Sequence, residues 1–408
     1  MNFLRYYIYY ILLHLTLTGS SFVQIGDAIS VHVDSSASYK HISNVTKVDR
    51  DQISDDLYII TPGAVLKFGK SGTPIDFNLS AKYDIYEYQY YDNLDINLMK
   101  VYLNGSYNPS EILNSNFSYS NTEGQSAKSE ESVPSNDTLA LVETTTESVS
   151  LLTTYKYSPK LSFSLGVKQS ELVYDSAADR NSLSTKKSTH IPFNLIYKYS
   201  NKLNVLYGVT FSNNNIGART TTRRVNGNTV NVIQQAYETD SVYYNVGLGG
   251  TILPKLTGNF DVGYRTLSFS DNINDFNAFG ATSSLTWKTF PKLNTSINFS
   301  RDFDSAGNGG TYKSTTANIN ALYSISTDYK LSASFGRTRK FFRDDAIRDI
   351  QDRHETLRNY SLNLQYYPSD NYNFSAGYTF TKSDSDDAIN RTAFYDNKEF
   401  RLSANLKY

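Results

Sequence analysis

The sequence predicts an all-β fold, a transmembrane antiparallel β-barrel of about eighteen strands. Three observations support this prediction. Apolar and polar residues alternate along many segments, tight turns and long polar stretches follow one another in turn, and the N-terminal segment has the order of a secretory signal. No run of about 18 apolar residues occurs in the chain, so the pattern excludes a helical membrane protein.

The C-terminal segment, residues 400–408, alternates most regularly. Apolar side chains share one strand face, and polar residues fill every position between them. A terminal strand that ends on an aromatic residue resembles the assembly signal of bacterial outer-membrane barrels. This resemblance implies the barrel assembly machinery as a partner and assigns the signal to Phe400, Leu402, Leu406 and Tyr408. The alternative is a half-buried last strand of a soluble all-β protein.

The N-terminal segment predicts a signal peptide over residues 1–28. Arg5 precedes a short apolar core at 8–17, and the small residues Gly26 and Ala28 follow. Cleavage after Ala28, or alternatively near Gly19 and Ser20, leaves one barrel domain, which we place at 29–408. The apolar core is shorter than the about 20 residues that a membrane-spanning helix needs. An N-terminal anchor that stays attached is the alternative.

The composition is compatible with a barrel and excludes several other classes. The chain has 34 Tyr and 22 Phe but no Cys, and its mean hydropathy is −0.45. Only alternate residues of a barrel strand face lipid, so a hydrophilic average is expected. The lack of Cys excludes disulfides, thiolate metal sites and thiol nucleophiles. A net charge of −1 gives no reason to expect nucleic acid as a partner.

The strand segments are joined by two kinds of connection. Eight tight turns rich in Pro, Asn, Asp and Ser begin near 70, 107, 157, 199, 253, 290, 326 and 367. Nine longer polar stretches lie at 43–54, 89–93, 123–138, 176–186, 214–229, 271–276, 304–311, 342–354 and 384–394. These connections join eighteen strands, with tight turns at the periplasmic end and long loops outside. Sixteen strands is the alternative if the first pair or region 89–122 is miscounted.

Parity along each strand assigns a lipid face and a lumen face. Leu161, Phe163 and Leu165 alternate with Ser162 and Ser164, and tyrosines beside the turns suit a membrane interface. Alternation alone does not exclude a soluble sandwich. Parity directs charges of both signs into the lumen, which predicts weak charge selectivity. The predicted pore-lining residues are Lys82, Lys100, Lys168, Asp261, Arg265, Lys288, Asp302 and Arg401.

The repeated strand–turn–strand units, the closing stretch at 366–386 and the terminal strand together resemble the putative beta-barrel porin type 2 family. The resemblance covers nearly the whole chain after the signal peptide. It rests on structural motifs and transfers no functional residue. It implies an outer-membrane barrel and an association with exopolysaccharide production.

Motifs for catalysis or metal binding are missing from the sequence. The five His are scattered, and no His-Glu-x-x-His, Gly-x-Ser-x-Gly or phosphate-binding loop occurs. His190 beside pore-facing Ser could be fitted to a hydrolase, and the acidic segments 344–345 and 383–387 to a divalent cation. Solvated acidic loops and isolated His are the simpler interpretation. We therefore predict no enzymatic activity, no cofactor and no metal.

Parity places Arg337, Arg339 and Arg358 on the outer face at the upper rim, where arginine can pair bidentately with lipopolysaccharide phosphates. The alternative is a solvated loop that Asp344, Asp345, Asp349, Asp352 and Glu355 neutralise.

The predicted function is a passive pore for small hydrophilic solutes in the bacterial outer membrane. A barrel of 16–18 strands leaves an aqueous channel unless something fills it, and loop 123–138 is the candidate constriction. Exopolysaccharide export and a surface barrel without transport are the alternatives. A polysaccharide conduit needs aromatic stacking surfaces in the lumen, where parity places few rings, among them Tyr102, Tyr243 and Tyr367.

Overall fold

The computed structural model describes residues 22–69, 73–127, 141–225, 228–270, 276–306, 310–342, 352–386 and 394–407. They form a closed antiparallel barrel of eighteen strands. Its first wall strand, β2 (Ile29–Ile42), pairs with the last, β22 (Tyr395–Lys407), from Asp34↔Lys407 to Ile42↔Glu399. The predicted fold and strand number are confirmed, and the sixteen-strand alternative does not apply.

Consecutive wall strands pair with one another around the ring. The second wall strand has two segments, β3 (Asp55–Thr61) and β4 (Gly63–Phe68), because Pro62 between them has no N–H for the ladder. The others are β5 (Ile75–Tyr88), β6 (Ile96–Ser110), β7 (Leu113–Ala127), β8 (Leu141–Lys156), β9 (Leu161–Tyr174), β10 (Lys186–Lys198), β11 (Leu203–Ile216), β14 (Tyr237–Leu253), β15 (Leu256–Phe269), β16 (Phe276–Phe290), β17 (Leu293–Ser305), β18 (Thr311–Ser324), β19 (Tyr329–Phe342), β20 (Arg353–Ser369) and β21 (Tyr372–Ser385).

Four short elements lie outside the wall. Strands β12 (Arg219–Val225) and β13 (Asn228–Gln234) form a hairpin between β11 and β14. Helix α1 (Ala177–Ser182) and a 3-10 turn at Asp92–Leu94 lie in two other loops, and neither helix among the described residues is long and apolar enough to cross a membrane.

Strand β1 (Val23–Ile25) pairs with the start of β2, and Gly26 turns the chain between them at a φ of 60°. This strand lies within the predicted signal peptide and would be retained if cleavage occurs near Gly19. Residues 1–21 lie outside the described residues, so the domain boundary at 28/29 stays a prediction.

The connections follow the predicted alternation of turns and loops. Eight short turns lie at one end of the barrel and nine longer connections at the other. Several predicted bounds are wrong. The loop predicted at 214–229 continues to residue 236, and the turn predicted near 367 lies at 370–371. The turn predicted at 107–110 lies at 111–112 because β6 continues to Ser110 past a register shift, and β7 continues to Ala127 into the loop predicted to begin at 123. Residues 128–140 of that loop lie outside the described residues.

The outward side chains are apolar and exposed, as expected of a wall that faces lipid. Leu165, Tyr207 and Leu362 are more than half exposed, whereas the inward Ser164 and Ser212 are buried. Two aromatic rows cross β19, β20 and β21 on the outer face. The lower row is Tyr329, Tyr366 and Phe374, with neighbouring ring centroids 4.6 and 6.4 Å apart. The upper row is Phe335, Tyr360 and Phe380, with spacings of 5.2 and 6.2 Å. The two rows lie six residues apart on β20, roughly 20 Å along the strand, so both belong to the outer aromatic surface of the wall.

Candidate functional site

Several charged residues of the inner face form pairs of opposite sign. The Lys82 Nζ atom lies 2.8 Å from Asp34 Oδ2, and the Lys100 Nζ atom lies 2.5 Å from Asp84 Oδ2. Asp84 is buried and also accepts a hydrogen bond from Thr61 Oγ1 at 2.6 Å. These pairs join neighbouring or next-but-one strands, so they neutralise the wall locally.

Arg265 and Asp302 form a further pair, in which the arginine is the more enclosed partner. Arg265 Nη2 donates to Asp302 Oδ2 at 2.9 Å, and Arg265 Nε approaches Oδ1 to 2.7 Å without the alignment of a hydrogen bond. The Arg265 side chain is only 13% exposed. Its Nη1 also donates to Ser241 Oγ at 3.2 Å. The guanidinium is therefore held in one position on the inner wall.

Tyr243 lies flat on the inner wall beneath this guanidinium. A Cβ added at Gly263 or Gly280 would come within 2.7 Å of the Tyr243 ring, so only glycine allows the ring this close to the wall. The Arg265 Cζ atom lies 4.7 Å from the ring centroid on a cation–π contact. The Tyr243 hydroxyl donates to Asp261 Oδ1 at 2.9 Å. The Tyr243 ring is thus enclosed between the wall glycines on one side and the Arg265 guanidinium on the other.

Ser241, Arg265 and Asp302 line part of a cavity of about 560 Å³ that spans the inner face from β8 to β18. Its polar wall consists mostly of Ser, Thr and Asn. The ionisable side chains that line it are Lys168, Lys186, His190, Arg265, Asp302 and Asp304. His190 Nδ1 lies 2.8 Å from Ser212 Oγ, its direct cross-strand partner in β11, and this contact orients the imidazole.

Two contacts join distant strands of the wall across the lumen, at the end of the barrel that carries the long loops. Lys186, the first residue of β10, forms an ion pair with Asp304 near the top of β17. Five strand intervals of about 4.8 Å separate these strands, roughly 24 Å of wall. The Tyr237 hydroxyl on β14 lies 3.1 Å from Thr311 Oγ1 on β18, four intervals away. The wall must therefore bend strongly here, and the barrel is narrowed at the end that carries the long loops.

Apolar clusters also line this mouth. Val45 and Leu94, from two loops, pack against the inward Leu57, Ile59 and Tyr88. Leu183 of another loop packs on Val142 and Tyr174, and Ala306 packs on Tyr312 and Phe342. Loop residues therefore fold over the inner wall at three places. The sequence prediction assigned the constriction to 123–138 and missed these contacts, because they join residues far apart in the chain.

The remaining predicted pore-lining residues differ in their contacts. Asp261 accepts hydrogen bonds from Tyr243, Asn245 and Thr282. Lys168 lines the cavity, and Lys288 and Arg401 are exposed. Within the described ranges, none of Lys168, Lys288 and Arg401 forms an ion pair. The predicted pore-lining residues did not include Lys186, His190 and Asp304. All three occupy inward-facing positions of their strands, so parity could have identified them.

The predicted lipopolysaccharide contacts lie together on the outer face of β19 and β20. Arg337 is the direct cross-strand partner of Arg358, and Arg339 lies two residues above Arg337. Arg358 Nη1 forms an ion pair with Asp384 of β21, and Lys382 Nζ lies 3.6 Å from the same carboxylate.

Asp386 lies just beyond β21, beside His354. Partial burial acts to raise the pKa of Asp386, but hydrogen bonds from the backbone N–H and the ring of His354 lower this pKa below its ordinary value. His354 Nδ1 lies 3.1 Å from Asp386 Oδ2. This carboxylate is therefore already engaged within the protein.

The predicted assembly signal lies mostly on the lipid face. Phe400 and Leu402 are 41% and 44% exposed, whereas Leu406 is buried between β21 and β2. Tyr408 lies outside the described residues. Its role in assembly stays a prediction.

The chain matches a family model described as Putative beta-barrel porin 2 over residues 33–408. It belongs to this family. The family and the fold place the protein in the bacterial outer membrane. A comparison with curated proteins finds no match.

Solved outer-membrane receptors share the fold. The siderophore receptor PirA from Acinetobacter baumannii is 7% identical, with a TM-score of 0.50 over 95% of this chain and 81% of that chain. The FrpB iron transporter from Neisseria meningitidis is 9% identical, with a TM-score of 0.48 over 92% and 81%. The ferric-catecholate import receptor Fiu from E. coli K12, in its open form, is 11% identical, with a TM-score of 0.47 over 94% and 82%. At these identities the likeness concerns the fold alone.

Proposed function

We propose that this family member is a passive outer-membrane pore for small hydrophilic solutes. The observation that carries the proposal is the inner face, where hydroxyl and amide side chains surround charges that are largely paired with opposite charges. A barrel of eighteen strands is wide enough to enclose water. A polar, locally neutral wall lets solutes of either charge pass without binding them strongly.

The paired charges predict weak charge selectivity. Opposite charges within about 3 Å cancel most of their field at the distance of a passing ion. Lys168, Lys288 and Arg401 form no ion pair within the described part of the chain, so a small cationic excess is left on the wall. We expect a slight preference for anions.

The narrowed mouth favours small solutes over a polymer. The ion pair between Lys186 and Asp304 and the three apolar clusters reduce the opening at the long-loop end. Exopolysaccharide export, the main alternative, also needs free aromatic faces on which sugars can stack. One face of Tyr243 rests on wall glycines and the other lies under Arg265, while Lys330 Nζ lies 4.5 Å from the Tyr367 ring centroid. Neither ring offers the free face that a polymer conduit would use.

The similar structures are a siderophore receptor, an iron transporter and a ferric-catecholate import receptor, and these descriptions apply to those proteins. Identities of 7–11% transfer no substrate to this chain. The proposal therefore rests on the inner face alone.

Single-channel recording in planar bilayers tests the proposal. Purified, heat-modifiable protein should conduct in long-lived steps, with a reversal potential that indicates slight anion preference. The double substitution Lys186→Gln, Asp304→Asn removes the ion pair across the upper lumen and should raise the conductance. Lys288→Gln is the control, because this inward lysine lies away from the narrowing and should lower only the anion preference.

Two results would contradict the proposal. Folded protein that never conducts, as wild type or as the double variant, would favour a surface barrel without transport. Conductance that long polysaccharides block and short sugars do not would favour the polymer conduit.

A further inference from the structure

Six cationic side chains share the outer face of five neighbouring strands, β17 to β21, at the long-loop end. They are Arg301, Lys313, Arg337, Arg339, Arg358 and Lys382, and we call this set the basic rim. Among the described residues, the same surface carries the carboxylate of Asp384, and Asp386 lies just beyond the end of β21. The basic rim is therefore strongly cationic.

The ladder registers show that these residues face outward together. Phe335 pairs with Tyr360 in the upper aromatic row, and the next outward pair along the same two strands is Arg337 and Arg358. Arg339 lies opposite Thr315, which lies opposite Arg301, so the cationic surface continues onto β17. The basic rim begins directly above the upper aromatic row.

The described residues neutralise only part of this surface, because Asp384 alone contacts both Arg358 and Lys382. Arg337 and Arg358 are like charges on directly opposite positions, an arrangement that costs stability. Within the described ranges, Arg337 and Arg339 form no ion pair, and Arg301 Nε is buried without a hydrogen-bond partner.

Glu355, which the sequence offered as a neutralising residue, faces the lumen instead. Its carboxylate lies 3.0 Å from Arg353 Nε and 3.9 Å from Lys340 Nζ. Asp344, Asp345 and Asp349 of that alternative lie outside the described residues. Among the described strand residues, Arg337 and Arg339 are left to bind an external anion.

The height of the basic rim identifies that anion. Arg358 lies eight residues above Tyr366 on β20, roughly 26 Å along the strand and about 20 Å along the membrane normal at a tilt of about 40°. The apolar band of such barrels is about 25 Å tall. The guanidinium groups extend beyond their Cα atoms and so reach the outer headgroup level. We infer that the basic rim binds the phosphate groups of lipopolysaccharide in the outer leaflet, through bidentate arginine contacts.

The opposite side of the barrel carries the opposite charge at the same height. Glu147 lies eight residues from Tyr155 on β8 and is the direct partner of Glu171 on β9. Strands β8 and β9 are the sixth and seventh of the wall, and β19 and β20 the fifteenth and sixteenth, so nine positions separate them in a ring of eighteen. The inferred site is therefore confined to one side of the barrel.

The inference is tested by binding of lipid A to purified barrels in a neutral detergent, measured by native mass spectrometry. Lipid A with both phosphates should bind with an affinity at least roughly tenfold higher than lipid A without phosphates. The double substitution Arg337→Gln, Arg358→Gln should weaken binding of the phosphorylated lipid by about tenfold or more. The double substitution Arg337→Lys, Arg358→Lys keeps both positive charges. Its affinity for the phosphorylated lipid should lie between that of the wild type and that of the glutamine double variant.

The matched control is Lys187→Gln, which removes an outward cation at the same height on the opposite side, beside Glu171. It should leave lipid A binding unchanged. If Lys187→Gln and the glutamine double variant lose the same affinity for lipid A, the inference is wrong. It is also wrong if the wild type binds the two lipids with equal affinity. Displacement of the lipid by millimolar inorganic phosphate would also overturn it, because the site would then bind free anions. If the double variant does not fold, the wild-type comparison of the two lipids still decides.

Discussion

The inner face and the outer rim of this barrel arrange their charges in opposite ways. On the inner face, Arg265 contacts Asp302 and Lys186 contacts Asp304. On the outer rim, Arg337 faces Arg358 across one strand pair and Glu147 faces Glu171 across another. Most of the inner charges thus have partners of opposite sign within the protein, whereas the outer rim places like charges directly opposite each other.

The difference follows from what each face contacts. A water-filled lumen gains nothing from uncompensated charge unless it selects ions, so pairs of opposite sign keep its field small. The outer rim lies at the level of lipid headgroups, which carry charges of their own. Like-charge pairs there can be balanced by headgroups and counterions as well as by neighbouring side chains, as Asp384 and Lys187 do in part. We therefore interpret unpaired outer charges as contacts with the membrane and paired inner charges as a neutral pore lining.

The largest effect is expected from a charge on the lipid face between the two aromatic rows. Leu362 on β20 is 52% exposed and lies four residues from Tyr366 and two from Tyr360. Leu362→Arg should lower the free energy of unfolding by about 2–4 kcal/mol, because the membrane interior does not solvate the guanidinium. Urea titration of barrels folded into phospholipid vesicles measures this change.

Asn320→Arg provides the matched control for Leu362→Arg. Asn320 on β18 is exposed on the inner face at a similar height, opposite Ser296 and Ser334. Its replacement should change the free energy of unfolding by no more than about 0.5 kcal/mol. If both variants lose the same stability, the assignment of the two faces is wrong.

A smaller effect is expected from breaking an inner pair. Asp302→Asn leaves the enclosed Arg265 guanidinium without its charged partner and should lower the free energy of unfolding by on the order of 1–3 kcal/mol. It should also shift the reversal potential towards anion preference. The double variant Arg265→Gln, Asp302→Asn removes both charges and should restore most of the stability and the wild-type selectivity. A double variant that behaves like Asp302→Asn would show that the pair does not neutralise the wall.

The sequence pattern predicted the features that depend on the order of residues within a single strand or turn. Alternation with a period of two and the spacing of turns gave eighteen strands and the correct inward parity of Arg265 and Asp302. The cross-lumen contacts of Lys186 with Asp304 and of Tyr237 with Thr311 depend on how a closed wall bends, which no local pattern encodes.

To predict all residues of the basic rim, one must know the register between neighbouring strands. Only three of its six residues were predicted, because the sequence does not show that Arg301, Lys313 and Lys382 lie at the same level as Arg337 and Arg358. Parity within each strand indicates that these three side chains face outward. It does not indicate how far up the wall each of them lies relative to the residues of the neighbouring strands.

The smallest effect concerns the acidic side of the outer rim. Glu147 lies opposite Glu171, which also pairs with Lys187 at 3.3 Å. Glu147→Gln removes the repulsion and should raise the free energy of unfolding by about 0.2–1 kcal/mol in urea titrations near 0.01 M salt. The gain should shrink near 1 M salt, where the Debye length is only about 3 Å. The measurement near 1 M salt is the control, because the repulsion between the two carboxylates is screened there. If Glu147→Gln lowers stability instead, the carboxylate already has a partner, and the contrast between a paired inner face and an unpaired outer rim fails on this side of the barrel.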